Sequence, residues 1–244
     1  MTAMASRDSV AKVGAYDWAG IGQSLDAHGN AVLPGLLTAR QCDELAALYP
    51  RDDGYRSRIV MARHGFGRGE YKYFAYPLPP LLDQLRHALY PWLAPIANRW
   101  NQLLNLATQY PLDLDAFLRR CHEAGQTRPT PLILRYGEGD YNCLHQDLYG
   151  DHVFPLQVAI LLSEPGRDFT GGEFIMTERS NKGQRADVVA LRQGDAVVFT
   201  VHQRPAPPTG SGRRGIRKVA MRHGVSRIRS GQRHTVGLIF HDAR

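Results

Sequence analysis

The chain has 244 residues, 30 Lys and Arg against 23 Asp and Glu for a net charge of +7, and 43% hydrophobic residues. This length and apolar content fit one domain with a substantial core. No stretch approaches the roughly 18 apolar residues of a membrane span, and residues 1–15 contain no apolar core of signal-peptide length, so a cytoplasmic protein with no membrane partner is expected. The three cysteines, Cys42, Cys121 and Cys143, have neither disulfide-framework nor zinc-site spacing and read as reduced thiols.

Residues 1–15 are read as a disordered N-terminus and residues 16–244 as a single domain. Within it, a helical half (16–128) precedes a strand-rich core (129–241). Trp18, Ile21 and Leu25 recur at helical spacing, and Gly29 can close that helix in the left-handed conformation. A short strand follows at Ala31 to Leu33. Thr38 and Gln41 form a capping box for a helix that buries Cys42, Leu45, Leu48 and Tyr49. The stripe Leu82, Leu85, Leu89, Trp92, Leu93, Ile96 and Trp100 predicts another helix, with a kink or restart near Pro91 and Pro95, where N–H groups are missing. A further helix is expected between Asp113 and Gly125. Beyond Arg128, Gly, Pro and Asp punctuate short β-rich runs from Leu132 to Phe240. Seven or eight antiparallel strands after a helical half predict an α+β chain with a double-stranded β-helix, or jelly-roll, core braced by N-terminal helices.

Inside that core, His145 and Asp147 are two residues apart, so on an extended segment both side chains project to one face and can grip one ion. Two imidazoles and a carboxylate can cap one face of an octahedral metal and leave the other positions open. His-x-Asp alone is a weak signal. Its surroundings are more specific: Leu132-Ile133-Leu134-Arg135-Tyr136-Gly137-Glu138-Gly139 precedes it, Gly171-Gly172-Glu173 and Gly194-Asp195-Ala196-Val197-Val198-Phe199 follow, and His223 and Gly231-x-Arg233-x-Thr235 close the series. In this order the chain resembles the Fe(II)/2-oxoglutarate-dependent dioxygenases, in their prolyl-hydroxylase-like branch, from about Leu132 to Phe240.

The resemblance implies Fe(II) on His145, Asp147 and His223, with 2-oxoglutarate and O₂ as cosubstrates. His152, His202, His234 and His241 compete for the third ligand position, but only His223 stands ten residues before an arginine, the spacing the family leads one to expect. Alternation on the last strand puts Arg233, Thr235, Gly237 and Ile239 on one face and the bulky His234, Val236, Leu238 and Phe240 on the other. Arg233 and Thr235 should therefore line the interior, where a guanidinium matches the distal carboxylate of the cosubstrate. By resemblance, Tyr136 donates to the same group; Gln157, alternating with aliphatic residues, is a buried amide that would touch the cosubstrate or its water.

The whole-chain pattern, including Gly29-Asn30-Ala31-Val32-Leu33-Pro34-Gly35-Leu36-Leu37, resembles a bacterial oxygenase family thought to demethylate alkylated DNA oxidatively. Between Tyr55 and Phe74, arginines including Arg63 and Arg68 alternate with aromatics including Phe66, Tyr71 and Tyr73, a mixture suited to phosphate contact and base stacking. A flexible surface loop accounts for it nearly as well. Nine Lys or Arg and no acid lie between Asp195 and Asp242, yet arginine outnumbers lysine 26 to 4 throughout, which fits a codon bias. Against the DNA reading, AlkB-type demethylases carry a second arginine six residues after the cosubstrate arginine, where this chain has Ile239. The alternatives are a protein or amino-acid side-chain hydroxylase and a nucleic-acid-binding module without catalysis.

Overall fold

The computed structural model describes residues 3–148, 150–180, 183–207 and 215–244. The chain opens with a helix, α1 (Ala3–Ala15), where sequence reading expects disorder. Val13 on it is buried, and Ser9 donates to Gln41 at 3.0 Å, so the helix is held by packing that its weak local amphipathicity does not announce. Helix α2 (Trp18–His28) is capped by the Asp17 carboxylate and closed by Gly29 at φ 76°, followed by β1 (Asn30–Leu33) and α3 (Ala39–Ala46), which carries the capping box of Thr38 and Gln41.

The stretch from Tyr55 to Phe74, for which a flexible surface loop is one expectation, is largely sheet: β2 (Tyr55–Val60), β3 (Gly67–Arg68) and β4 (Glu70–Phe74). Helix α4 (Pro80–Leu103) runs unbroken through Pro91 and Pro95, where an interruption is expected. Both prolines lie on its exposed face, where water can satisfy the freed carbonyls, while Leu85, Leu89, Leu93, Ile96 and Trp100 are buried on the other. Trp92, placed in the buried stripe by periodicity, is 43% exposed and stacks on Trp18. Helix α5 (Leu114–Glu123) is capped by Asp113.

The remaining strands are β5 (Leu132–Tyr136), β6 (Tyr141–His145), β7 (Leu156–Leu161), β8 (Phe169–Gly171), β9 (Phe174–Ser180), β10 (Gly183–Val189), β11 (Ala196–Thr200), β12 (Gln203–Ala206), β13 (Arg217–Val225), β14 (Ile228–Gly231) and β15 (Arg233–Leu238). A seven-stranded sheet in the order β1-β11-β7-β15-β5-β4-β2 faces a six-stranded sheet in the order β10-β9-β13-β6-β3, with β12 beside β13. All these pairings are antiparallel and the neighbours are mostly non-sequential, which is the double-stranded β-helix. Among the described residues, no helix is long and apolar enough to cross a membrane.

Alternation on β15 sets what faces the cavity. Val236, Leu238 and the following Phe240 join α4 and α5 in the main core outside the larger sheet, leaving Arg233, Thr235 and Gly237 facing inward.

Candidate active site

A cavity of about 250 Å³ lies between the two sheets. On its smaller-sheet wall, β6 and β13 pair so that His145 stands directly opposite His223, with ring centroids 4.2 Å apart. Asp147 arrives two residues after β6 ends, and its two carboxylate oxygens each lie 3.5 Å from one imidazole Nε2. One ligand atom from each residue falls within 4.8 Å of the others. Two atoms bound at about 2.1 Å and at right angles to one ion lie about 3.0 Å apart, so a small inward adjustment would let the three share one ion.

The surroundings suit metal ligation. The backbone carbonyl of Cys143 accepts from His145 Nδ1 at 2.8 Å, which leaves Nε2 with its lone pair toward the cavity. Burial, and then the neighbouring His223, hold the His145 imidazole below its ordinary range, in the neutral form a ligand needs. Burial pushes the Asp147 carboxyl up, but the two imidazoles outweigh it and bring it to about 2. Gln146 fixes the turn between the ligands, its Nε2 donating to the carbonyls of His202 (3.0 Å) and Met221 (2.7 Å). Sequence reading passed over Gln146, because its partners are backbone atoms 56 and 75 residues away.

The opposite wall holds Arg233, 2% exposed and directly across the β15–β5 pair from Tyr136. Arg233 Nη1 donates to Thr235 Oγ1 at 2.6 Å, while its Nε and the Tyr136 hydroxyl are buried without a hydrogen-bond partner among the described residues. Burial lowers the guanidinium to about 10, so it stays cationic at neutral pH. A buried cation without a contacting anion is costly, and a carboxylate placed here would satisfy Arg233 and Tyr136 together. Gln157 is 5% exposed on β7 with its Nε2 also unpaired, and it lines the same cavity. The donor set therefore fits a divalent metal on one wall and a dicarboxylate on the other.

The competing histidines lie elsewhere: His152, His202, His234 and His241 do not line the cavity. Of the residues singled out between Tyr55 and Phe74, Phe66, Tyr71 and Tyr73 line it, and Phe66, 39% exposed, stacks on His64. Arg63 and Arg68 do not. Arg63 is exposed, and Arg68 lies 3.8 Å from Asp140 in a separate cleft. The arginine that does reach the aromatic wall is Arg56, 4.1 Å over the Tyr73 ring. Sequence alternation could have separated these sets had β4 been recognised: Tyr71 and Tyr73 share its inner face, and the intervening Lys72 turns outward to donate to the carbonyls of Tyr49 and Arg51. Ile239, at the position of the missing second arginine, also lines the cavity.

Residues 69–243 match the Oxygenase-NA family model, described as an oxygenase catalysing oxidative methylation of damaged DNA. An uncharacterized protein of Mycobacterium tuberculosis strain H37Rv is 49% identical over 171 residues, covering 70% of this chain and 72% of its own length. Among solved structures, a Pseudomonas putida prolyl-4-hydroxylase superposes with a TM-score of 0.52 at 17% identity, covering 93% of this chain and 99% of that one. An oxidoreductase of the 2OG-Fe(II) oxygenase family from Burkholderia pseudomallei gives 0.56 at 16% identity, covering 93% of each chain. At these identities the superpositions establish the shared fold.

Proposed function

The chain belongs to the Oxygenase-NA family, and we propose that it is an Fe(II)- and 2-oxoglutarate-dependent dioxygenase that removes methyl groups oxidatively from damaged DNA bases. The observation that carries the reading is one cavity with His145, Asp147 and His223 on one wall and the buried, anion-deficient Arg233 and Tyr136 on the other. His145, Asp147 and His223 hold the metal. Arg233, with Thr235 and Tyr136, clamps the distal carboxylate of 2-oxoglutarate, and Gln157 lies against the cosubstrate or a water beside it.

Bound iron supplies the chemistry that couples O₂ reduction and cosubstrate decarboxylation to hydroxylation of a substrate C–H bond. The protein's part is placement. The Arg233 and Tyr136 donors orient the cosubstrate, the phenylalanines Phe174 and Phe199 pack beside His223 and keep that side dry, and Phe66, Tyr71 and Tyr73 offer ring faces to a base lifted out of its stack. Hydroxylation of an N-methyl carbon gives an N-hydroxymethyl group, whose C–N bond breaks to release formaldehyde and return the proton to nitrogen. Succinate and CO₂ are the other products.

The apolar wall at Ile239 favours a second reading, a hydroxylase of protein or amino-acid side chains. The deciding experiment supplies Fe(II), 2-oxoglutarate and either methylated oligonucleotides or proline-containing peptides. Formaldehyde with stoichiometric succinate supports demethylation; a peptide mass gain of one oxygen with no formaldehyde from any methylated base replaces it.

A further inference from the structure

The smaller sheet sorts its charges by face. On β13, Val219, Met221 and His223 are buried inward, and Lys218, Ala220 and Arg222 are exposed outward. Register places Ala220 opposite Arg179 of β9 and Arg222 opposite Thr177, and β9 sets Arg179 and Thr177 opposite Gln184 and Ala186 of β10. Residues directly opposite share a face. Arg179, Lys218 and Arg222 therefore stand together on the outer face, separated by small or uncharged side chains.

The acids of β9 and β10 are on the other side. Glu178 takes the inward position opposite Met221 and pairs with Arg204 at 2.7 Å and Arg185 at 3.6 Å, and Asp187 lies 3.7 Å from Arg185. No outward position in the paired stretch of β9, β10 and β13 is acidic, and none of Arg179, Lys218 and Arg222 forms an ion pair with a described residue. Taken level by level along β13, the cations fall at Lys218, at Ala220 (through Arg179) and at Arg222. Each level is two residues, about 6.8 Å, from the next, so the row extends over about 14 Å.

We propose that this outer face is a docking surface for the phosphodiester backbone of nucleic acid. The proposal rests on the demethylase reading for its choice of polyanion. Charge complementarity selects the occupant: unpaired cations at three successive levels, with no acid on the same face of β9, β10 and β13, match a chain of regularly spaced phosphates. Arg222 immediately precedes His223, so the face lies one sheet thickness from the metal ligands. A strand held there is kept on the protein without occupying the cavity.

The test is fluorescence anisotropy with a labelled single-stranded DNA of about 20 nucleotides, at several salt concentrations. The combined Arg179→Gln, Lys218→Gln and Arg222→Gln protein is compared with a combined Arg40→Gln, Arg51→Gln and Arg167→Gln control, which loses equal charge from exposed ion pairs elsewhere. The first variant is expected to bind at least tenfold more weakly and to flatten the log–log salt slope by about 2, from about 0.7 per lost phosphate contact. The control should stay within twofold of wild type. Equal weakening in both variants overturns the proposal, as does wild-type protein that ignores the DNA but binds anionic vesicles or a polyglutamate peptide through these residues. Formaldehyde release from a methylated trinucleotide, too short to span the face and the cavity, should match wild type in the first variant. If no methylated substrate of any length is oxidised while the anisotropy difference stands, demethylation fails and the docking surface remains.

Discussion

Arg233 and Tyr136 are directly opposed across β15 and β5, the guanidinium carbon 5.8 Å from the phenol ring, and each keeps a buried polar atom unpaired. Two strands far apart in sequence thus present unsatisfied donors to one point in the cavity. Truncating one partner of a buried charge interaction typically costs roughly 2 to 5 kcal/mol. Arg233→Ala should therefore raise the KM for 2-oxoglutarate at least about 30-fold, with Tyr136→Phe a milder version, as read from succinate formation against cosubstrate concentration. An unchanged KM in Arg233→Ala would place the clamp elsewhere.

Metal binding should stabilise the wild-type fold through the same triad. At a concentration one hundred times its Kd, a ligand specific to the folded state adds about 2.7 kcal/mol. Mn(II), which resists oxidation, is expected to raise the thermal midpoint of wild type, and Asp147→Ala or His223→Ala should lose that rise. A metal-dependent shift that persists in both variants would point to a different ligand set.

Gly172 packs against Arg233. It has φ +66°, and a Cβ there would lie 2.3 Å from Ile228 Cδ1 and 2.9 Å from Arg233 Cδ. Gly172→Ala is expected to displace the Arg233 stem, raising the KM for 2-oxoglutarate several-fold with little change in kcat. Gly166 is the control: its φ is +82° but a Cβ would meet nothing within 4 Å, so Gly166→Ala should cost only the backbone term of about 1 to 2 kcal/mol and leave KM alone. Equal KM effects in the two variants would show general destabilisation.

Acid should weaken the fold through His241. It is 2% exposed, its Nδ1 accepts from the Phe154 backbone N–H, and burial, with the Arg86 charge, lowers it to about 4. Between about pH 6.5 and 4 the unfolded chain takes up this proton while the folded chain does not, so stability falls as pH is lowered through that window. The full effect is on the order of 3 kcal/mol. His241→Asn retains an acceptor and cannot titrate; urea midpoints at pH 7 and 5 should differ less in it than in wild type. A residual slope is expected from His234, also lowered to about 4 by burial and Arg135. Identical pH dependence in the two proteins would remove His241 as the cause.

Much of the site was legible because its chemistry is local or strictly periodic. The two-residue step from His145 to Asp147, the alternation of Arg233 and Thr235 against Val236 and Leu238, and the capping box of Thr38 and Gln41 follow from strand and helix geometry alone. Tertiary structure decided the rest. Helix α1 persists because it packs on α4 and bonds Gln41, and the proline-bearing α4 because its apolar face is buried in the main core; β4 and β2 add to the open edge of β5, and β3 adds to β6 in the other sheet. Pairing with β5 turns Tyr71 and Tyr73 inward, while Arg68 on β3 beside β6 and Arg63 in the short helical turn after β2 lie outside the cavity. Which polar atoms stay unpaired, and which charges of β9, β10 and β13 face away from the metal, depend on registers between strands tens of residues apart. A shift of one residue in any of them would reverse the face, and local sequence does not encode that register.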